Sequence, residues 1–276
     1  MQAAESIYPL DESHPNYGRW KRAVDTSVHR GELVCDILSD VMQLEGAEVL
    51  DIGCGVGGTS VALHNANANV TAVDRNPARL DALRKQCPEI QSRIADAEHL
   101  PFESGSFDAA VLQDVIEHTA APRDVIMEIA RILRPGGWLY LSTPNRNSLL
   151  NFFSDPHFGL PGISVLDSSD IRKVLHRLRP EDAERDDLAE LLPLDALQAL
   201  LHGAGLEINL MQRFVLRSMF EHPERVVWSR MHLSILRMAK LLGLPGLANL
   251  IVNDRTGFIN AFVSPSWYIV ARKESE

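Results

Sequence analysis

Cysteine is scarce in this chain, and no pattern makes use of it. Cys35, Cys54 and Cys87 are odd in number, scattered, and outside any Cys-x-x-Cys or Cys/His spacing. That argues against a disulfide-stapled fold and against a structural zinc site, so no metal is expected. Basic charge is also in short supply. The 37 acidic and 27 basic side chains leave a net charge of −10. A surface of that sign does not neutralise phosphates broadly, and no nucleic-acid partner is expected. Long apolar runs are missing too. The longest uncharged one, Leu241 to Val252, is interrupted by Gly243, Pro245 and Gly246, which argues against a membrane span. Residues 1–13 carry acids and lack a basic start followed by an apolar core, so a cytoplasmic setting is expected rather than a secretory one. There is no internal repeat and no low-complexity tract.

What the chain does have is a strand, a glycine turn and a helix start in direct succession. Ala47 to Ile52 is apolar and β-branched enough for a buried parallel strand, and Gly53, Gly55, Gly57 and Gly58 follow it. Glycine permits positive φ and lets a ligand approach the main chain closely. Thr59 to Asn67 then opens a helix whose free N–H groups face the turn. Asp74 closes the next apolar strand, 23 residues after Asp51, where a carboxylate can accept both hydroxyls of a ribose. This suits a nucleotide-type cofactor, NAD included.

From residue 46 onward strand and helix patterns alternate. Glu48 to Ile52, Asn69 to Asp74, Ile90 to Ala95, Phe107 to Leu112 and Trp138 to Ser142 read as strands. Pro122 to Arg134 reads as an amphipathic helix stopped by Pro135-Gly136-Gly137. Before this core, Trp20 to Met42 reads as one covering helix or lid. Residues 144 to 192, with four prolines and a charged run, read as an insertion. A helix over Pro193 to Gly205 and a strand over Leu206 to Leu210 resume the pattern. Residues 214 to 262 form a second insertion rich in Met, Leu and Trp, and Trp267 to Ala271 makes a last strand.

Five segments carry a family resemblance. They are VLDIGCGVGG (49–58), TAVDRNP (71–77), ADAEHLPFESGSFDAAVLQDVIEH (95–118), RILRPGGWLYLSTPN (131–145) and LDALQALLHGAGLEI (194–208). In this order and spacing the chain resembles the class I S-adenosylmethionine-dependent methyltransferases, in the branch of the ubiquinone- and menaquinone-biosynthesis enzymes (type 11). The resemblance implies an α/β, Rossmann-like, seven-stranded and mostly parallel sheet with one antiparallel strand near the C-terminus and helices on both faces. The organisation expected is an N-terminal helical cap (1–45), a cofactor-binding core (46–145), an insertion near the active site (146–192), a core helix and strand (193–213), a helical lid (214–263) and a final strand (264–276).

Residue by residue, the resemblance implies the following site for S-adenosyl-L-methionine and its product S-adenosyl-L-homocysteine. Gly53, Cys54 and Gly55 pass along the methionine part, and Asp51 braces the turn near the amino group. Asp74 holds the ribose hydroxyls, with Arg75 packed by the adenine. Asp96 accepts from the adenine amino group and the Ala97 N–H reaches a ring nitrogen. Gln113 lies beside the sulfonium, and Arg30 answers the carboxylate.

The reaction this implies is displacement at an activated methyl, so the protein mainly positions and shields, and no catalytic triad is required. For a hydroxyl acceptor a base helps, and His118 and His157 are the candidates. Either could instead serve the loop it sits in. Asn145 and Arg146 could touch the substrate or cap the loop. The apolar 214–262 lid fits a small, hydrophobic acceptor (aromatic, quinol-like, sugar or lipid-linked) and also suits peripheral membrane contact.

Two other functions remain open. One is a non-catalytic module that binds the same cofactor. The other is an NAD(P)-dependent oxidoreductase, which would need a Tyr-x-x-x-Lys pattern after the glycine turn. That pattern occurs only at Tyr17 to Lys21, before it.

Overall fold

A computed structural model of the chain describes residues 6–8, 10–185, 188–225, 230–243, 246, 252–254 and 257–275. Its centre is a seven-stranded sheet: β1 (Glu48–Ile52), β2 (Asn69–Asp74), β3 (Gln91–Ile94), β4 (Phe107–Gln113), β5 (Leu133–Pro144), β6 (Leu206–Leu210) and β7 (Ser266–Lys273). The spatial order is β3-β2-β1-β4-β5-β7-β6. The first five strands are mutually parallel, and β7 runs antiparallel to both β5 and β6. This is the expected sheet. Its order reverses between β1 and β4, so a crevice opens beyond their carboxyl ends, where open α/β sheets bind ligands.

Strand residues alternate between two cores. Leu50, Ile52, Leu112, Leu139, Leu141 and Ile269 face α5 (Pro122–Ile132) and α9 (Leu194–Gly203) through Ile126, Ile129, Leu197 and Leu201. Val49, Val70, Ala72, Val111, Tyr140 and Val270 face the other way, toward Leu33, Val34, Ile37, Leu63 and Leu83. Those residues come from α2 (Ser27–Ser39), α3 (Gly58–Asn65) and α4 (Pro77–Gln86). The first insertion builds a small core of its own from Phe158, Ile163, Ile171, Leu175 and Ala183. It comprises α6 (Leu149–Phe153), α7 (Ser168–Leu178) and α8 (Pro180–Ala183).

Two boundaries differ from the sequence reading. The N-terminal helix is two helices, α1 (Tyr17–Asp25) and α2, broken at Thr26 with φ −107° and ψ 9°. Thr26 Oγ1 donates to the Arg22 carbonyl at 2.8 Å and Ser27 Oγ to the Val24 carbonyl at 2.7 Å, so hydroxyls take up carbonyls where the helix ends. At the other boundary, α5 stops at Ile132 and Leu133 is already extended, paired with Phe107 of β4. Arg134 precedes Pro135, and the proline ring keeps that position out of the helical region.

The region of the second insertion holds α10 (Gln212–Glu221) and α11 (Arg230–Leu241). Residues 226–229, 244–245, 247–251 and 255–256 of the lid lie outside the described residues. Arg225 anchors the segment on α2 by pairing with Glu32 at 3.1 Å and with Asp36. Among the described residues no helix is long and apolar enough to cross a membrane.

Candidate active site

The glycine turn leaves β1 in left-handed conformations, with φ +66° at Gly53, +56° at Gly55 and +86° at Gly57. At Gly53 a Cβ would lie 2.5 Å from the Val115 side chain, and at Gly57 it would lie 2.3 Å from Leu83, so neither site accommodates one. At Gly55 a Cβ would meet nothing within 4 Å, so the main chain there faces open space at the sheet crevice.

Two buried carboxylates brace the turn from within the fold. Asp74 Oδ2 accepts the Gly55 N–H at 2.9 Å and lies 3.9 Å from Arg79, while Oδ1 accepts the Asn76 N–H at 2.8 Å. Each oxygen keeps a further lone pair for a ligand. Asp51 accepts the Ser60 hydroxyl at 2.5 Å, so it holds the first turn of α3. Burial pushes its pKa up to about 6, against the Ser60 hydrogen bond and helped by the negative charge of Asp74. Between them Cys54 is pushed well above the usual thiol range, first by burial and then by Asp51 and Asp74, so it is no nucleophile.

The adenine-side candidates sit at the ends of β2 and β3, which the Ala95 N–H joins by donating to the Asp74 carbonyl at 3.3 Å. Arg75 and Asp96 are exposed and Ala97 is half-buried. The Asp96 carboxylate accepts the Glu98 N–H at 3.1 Å, shaping the turn in which Ala97 lies.

At the end of β4, Gln113 Oε1 accepts the Thr59 hydroxyl of α3 at 2.6 Å. The next residue, Asp114, has φ +54°, a strained value for a non-glycine residue. Its carboxylate pairs with Arg30 at 2.5 Å and accepts the Ser142 hydroxyl at 3.0 Å. Arg30, the candidate for the cofactor carboxylate, is thus brought to the mouth of the crevice with its guanidinium on Asp114. The sequence reading missed Asp114, although an acid directly after a strand end was visible.

A 3-10 turn, Ile116–His118, carries the next group. Glu117 is buried, and its Oε2 accepts the Thr143 hydroxyl at 3.0 Å. Its Oε1 makes no hydrogen bond and lies 3.8 Å from His157 Nε2. The His118 and His157 rings meet edge to face at 4.9 Å. The two histidine candidates are therefore brought together, and with them a buried acid that no sequence pattern singles out. One donor atom from each of Glu117, His118 and His157 lies within 4.8 Å of the others, which is also a donor set suited to a divalent cation. No local spacing signalled it, because His157 comes from the insertion.

Burial raises the Glu117 pKa to about 8, with the charge of Asp114 adding to the effect. The unfolded carboxyl titrates near 4.5, so the folded protein favours the protonated acid. Stability from this group is present at low pH and is lost as pH climbs from about 4.5 to about 8. Glu117→Gln removes that dependence and keeps an acceptor for Thr143. In thermal melts it should exceed wild type at about pH 8.5 by at least ~1.4 kcal/mol, a tenfold change in the folding equilibrium, and match it near pH 4.5. Equal melting curves at both pH values would contradict the burial of a carboxyl here.

Asn145 and Arg146 brace the loop. The Asn145 amide donates to the Ala261 and Ser264 carbonyls, both at 2.8 Å. Arg146 donates to the Val165 carbonyl at 2.6 Å and the Leu191 carbonyl at 3.3 Å.

Residues 50–141 match a family described as a methyltransferase domain. A ubiquinone biosynthesis O-methyltransferase of Xanthomonas oryzae pv. oryzae is 41% identical over 117 residues, covering 40% of this chain and 48% of that protein. One of Paracidovorax citrulli is 40% identical over 111 residues, covering 38% and 47%. The chain thus spans about half the length of the curated relatives it matches. Among solved structures, an S-adenosylmethionine-dependent methyltransferase of Thermotoga maritima aligns over 94% of this chain and 97% of its own, with a TM-score of 0.56 at 17% identity. One of Mesorhizobium loti aligns over 87% and 96%, with a TM-score of 0.56 at 15% identity. Glycine turn, sheet order and matched segment coincide: residues 50–141 match the methyltransferase-domain family, on a fold shared along nearly the whole chain with S-adenosylmethionine-dependent methyltransferases.

Proposed function

We propose that this protein transfers a methyl group from S-adenosyl-L-methionine to a hydroxyl on a small, apolar, quinol-like or phenolic molecule. The observation that carries the reading is a juxtaposition at one sheet crevice. An open glycine turn braced by Asp51 and Asp74 stands beside a buried acid and two histidines, carried by the turn after β4 and by the insertion loop.

The residues fit the donor. Open space at Gly55 gives a nucleoside-bearing molecule room against the main chain. Asp74 offers its spare lone pairs to ribose hydroxyls, Arg75 and Asp96 flank the base, and the Ala97 N–H serves a ring nitrogen. Gln113 and Gly53 to Gly55 line the methionine part, and Arg30 serves its carboxylate. The donor supplies a methyl activated by its sulfonium, which makes the remaining task one of placement and exclusion of water.

His157 accepts the acceptor's hydroxyl proton, with Glu117 Oε1 lying 3.8 Å from its Nε2. His118 packs against the His157 ring and limits its rotation. The apolar side of the acceptor rests on α6, which exposes Leu149, Leu150, Phe152 and Phe153 next to the His157 loop. The relatives' name, ubiquinone biosynthesis O-methyltransferase, points to the same acceptor chemistry. Incubation with methyl-labelled S-adenosylmethionine and a panel of soluble catechols, phenols and quinols tests the proposal. Label is expected in an extractable methyl ether. Stoichiometric donor binding without transfer to any of them would favour a non-catalytic binding module.

A further inference from the structure

The N-terminal helix begins at an asparagine whose side chain does not cap it. Asn16 occupies the N-cap position of α1, where an asparagine ordinarily accepts an N–H from the first turn, yet it makes no such bond. Its amide instead donates to the His157 carbonyl at 3.0 Å and the Phe158 carbonyl at 3.3 Å. Asn16 is 3% exposed, so these bonds form away from water. One turn further on, Arg19 donates to the Asp155 carbonyl at 3.0 Å and to the Ser154 hydroxyl at 3.2 Å. The loop itself is wound on Asp155, whose carboxylate accepts the His157 and Phe158 N–H groups, both at 2.8 Å. Gly159 has φ +68°, and a Cβ there would lie 2.8 Å from the Arg19 guanidinium, so the two segments meet without slack.

The same arm is anchored at its start. His14 stacks on Trp20 at 4.8 Å and lies 3.2 Å from Asp182 of α8, a fully buried acid that Arg185 also meets at 3.2 Å. Past Thr26 the arm continues into α2, whose Arg30 reaches Asp114 at the end of β4.

We infer that residues 14–19 form a clamp that seats the His157 loop, and that Asn16 is a positioning residue for His157. The inference rests on the reading of His157 as the group facing the acceptor. Without the Asn16 amide, the His157 carbonyl loses that donor and the Phe158 carbonyl keeps Arg179 at 2.7 Å, so the loop opens more often at His157, while the glycine turn stays as it is. Because the clamp and Arg30 lie on one continuous arm, filling the donor site should quieten the loop as well.

The test uses hydrogen exchange and histidine NMR on the full chain, with S-adenosylhomocysteine as the probe. Asn16→Ala is expected to speed exchange of the 157–159 amides about tenfold or more, the scale of a lost buried hydrogen bond, and to shift the His157 ring resonances. Amides of β4 should be unaffected, and affinity for S-adenosylhomocysteine should stay within about twofold. Asn16→Asp keeps the volume and removes the donor, so it should behave like Asn16→Ala. A wild-type-like Asn16→Asp would assign Asn16 to packing and overturn the inference, as would unchanged 157–159 exchange in Asn16→Ala. Failure of wild type to bind S-adenosylhomocysteine is a separate result and would count against the methyltransferase reading, not the clamp.

Discussion

Gly58→Val is expected to lower stability by about 3 kcal/mol, the upper part of the range for overpacking a close contact. The reason is a helix crossing with no room between backbones. A Cβ on Gly58 would lie 2.3 Å from the Ser27 Cβ and 2.4 Å from its carbonyl carbon. From the opposite side, a Cβ on Gly31 would lie 2.6 Å from the Thr59 Cα. These are main-chain neighbours, and no side-chain rotamer can relieve them. Helices α2 and α3 must separate. With them go Arg30, which pairs with Asp114, and Thr59, which donates to Gln113. Thermal denaturation should show a melting temperature lower by about 6–12 °C for a chain of this size. A variant that melts within a degree or two of wild type would mean that the crossing relaxes freely and that Gly58 matters only to the turn.

His157→Ala is expected to cost the larger kinetic effect, on the order of 10²- to 10⁴-fold in methyl transfer, the span typical of losing a general base. Affinity for S-adenosylhomocysteine should be unchanged, because His157 belongs to the insertion loop and is not among the residues assigned to the donor. The choice between the two histidines follows from Glu117. Its Oε1 faces His157 Nε2 at 3.8 Å, whereas His118 meets His157 edge on at 4.9 Å. His118→Phe keeps an aromatic neighbour for the His157 ring and should reduce the rate by no more than about tenfold. Rates measured with an acceptor from the soluble panel check both variants. A greater loss in His118→Phe than in His157→Ala would reverse the assignment.

The sheet was legible because its strands are short apolar runs set between amphipathic helices, and the pattern of α5 needs no tertiary information. The glycine turn and Asp74 were legible for the same local reason. The break at Thr26 was not, since the apolar positions continue in phase across it and only two hydroxyls mark the stop. The early start of β5 was hidden by Arg134, Pro135 and the two glycines between Leu133 and Trp138. At the site, Asp114 and Glu117 read in sequence as ordinary loop acids. What distinguishes them are partners far along the chain: Arg30 for Asp114, Thr143 and His157 for Glu117. Asn16 is harder still to read, because its position predicts a helix cap and its side chain serves a loop from the other end of the core.

The central claim is that the glycine turn and Asp74 hold S-adenosylmethionine. Calorimetric titration of wild type and Asp74→Ala with S-adenosylhomocysteine tests it most directly. Micromolar binding is expected for wild type, weakened about 100-fold or more in the variant, as the loss of charge-assisted hydrogen bonds to two hydroxyls requires. No heat of binding with S-adenosylhomocysteine, and saturable binding of NADH in its place, would contradict the account at its root.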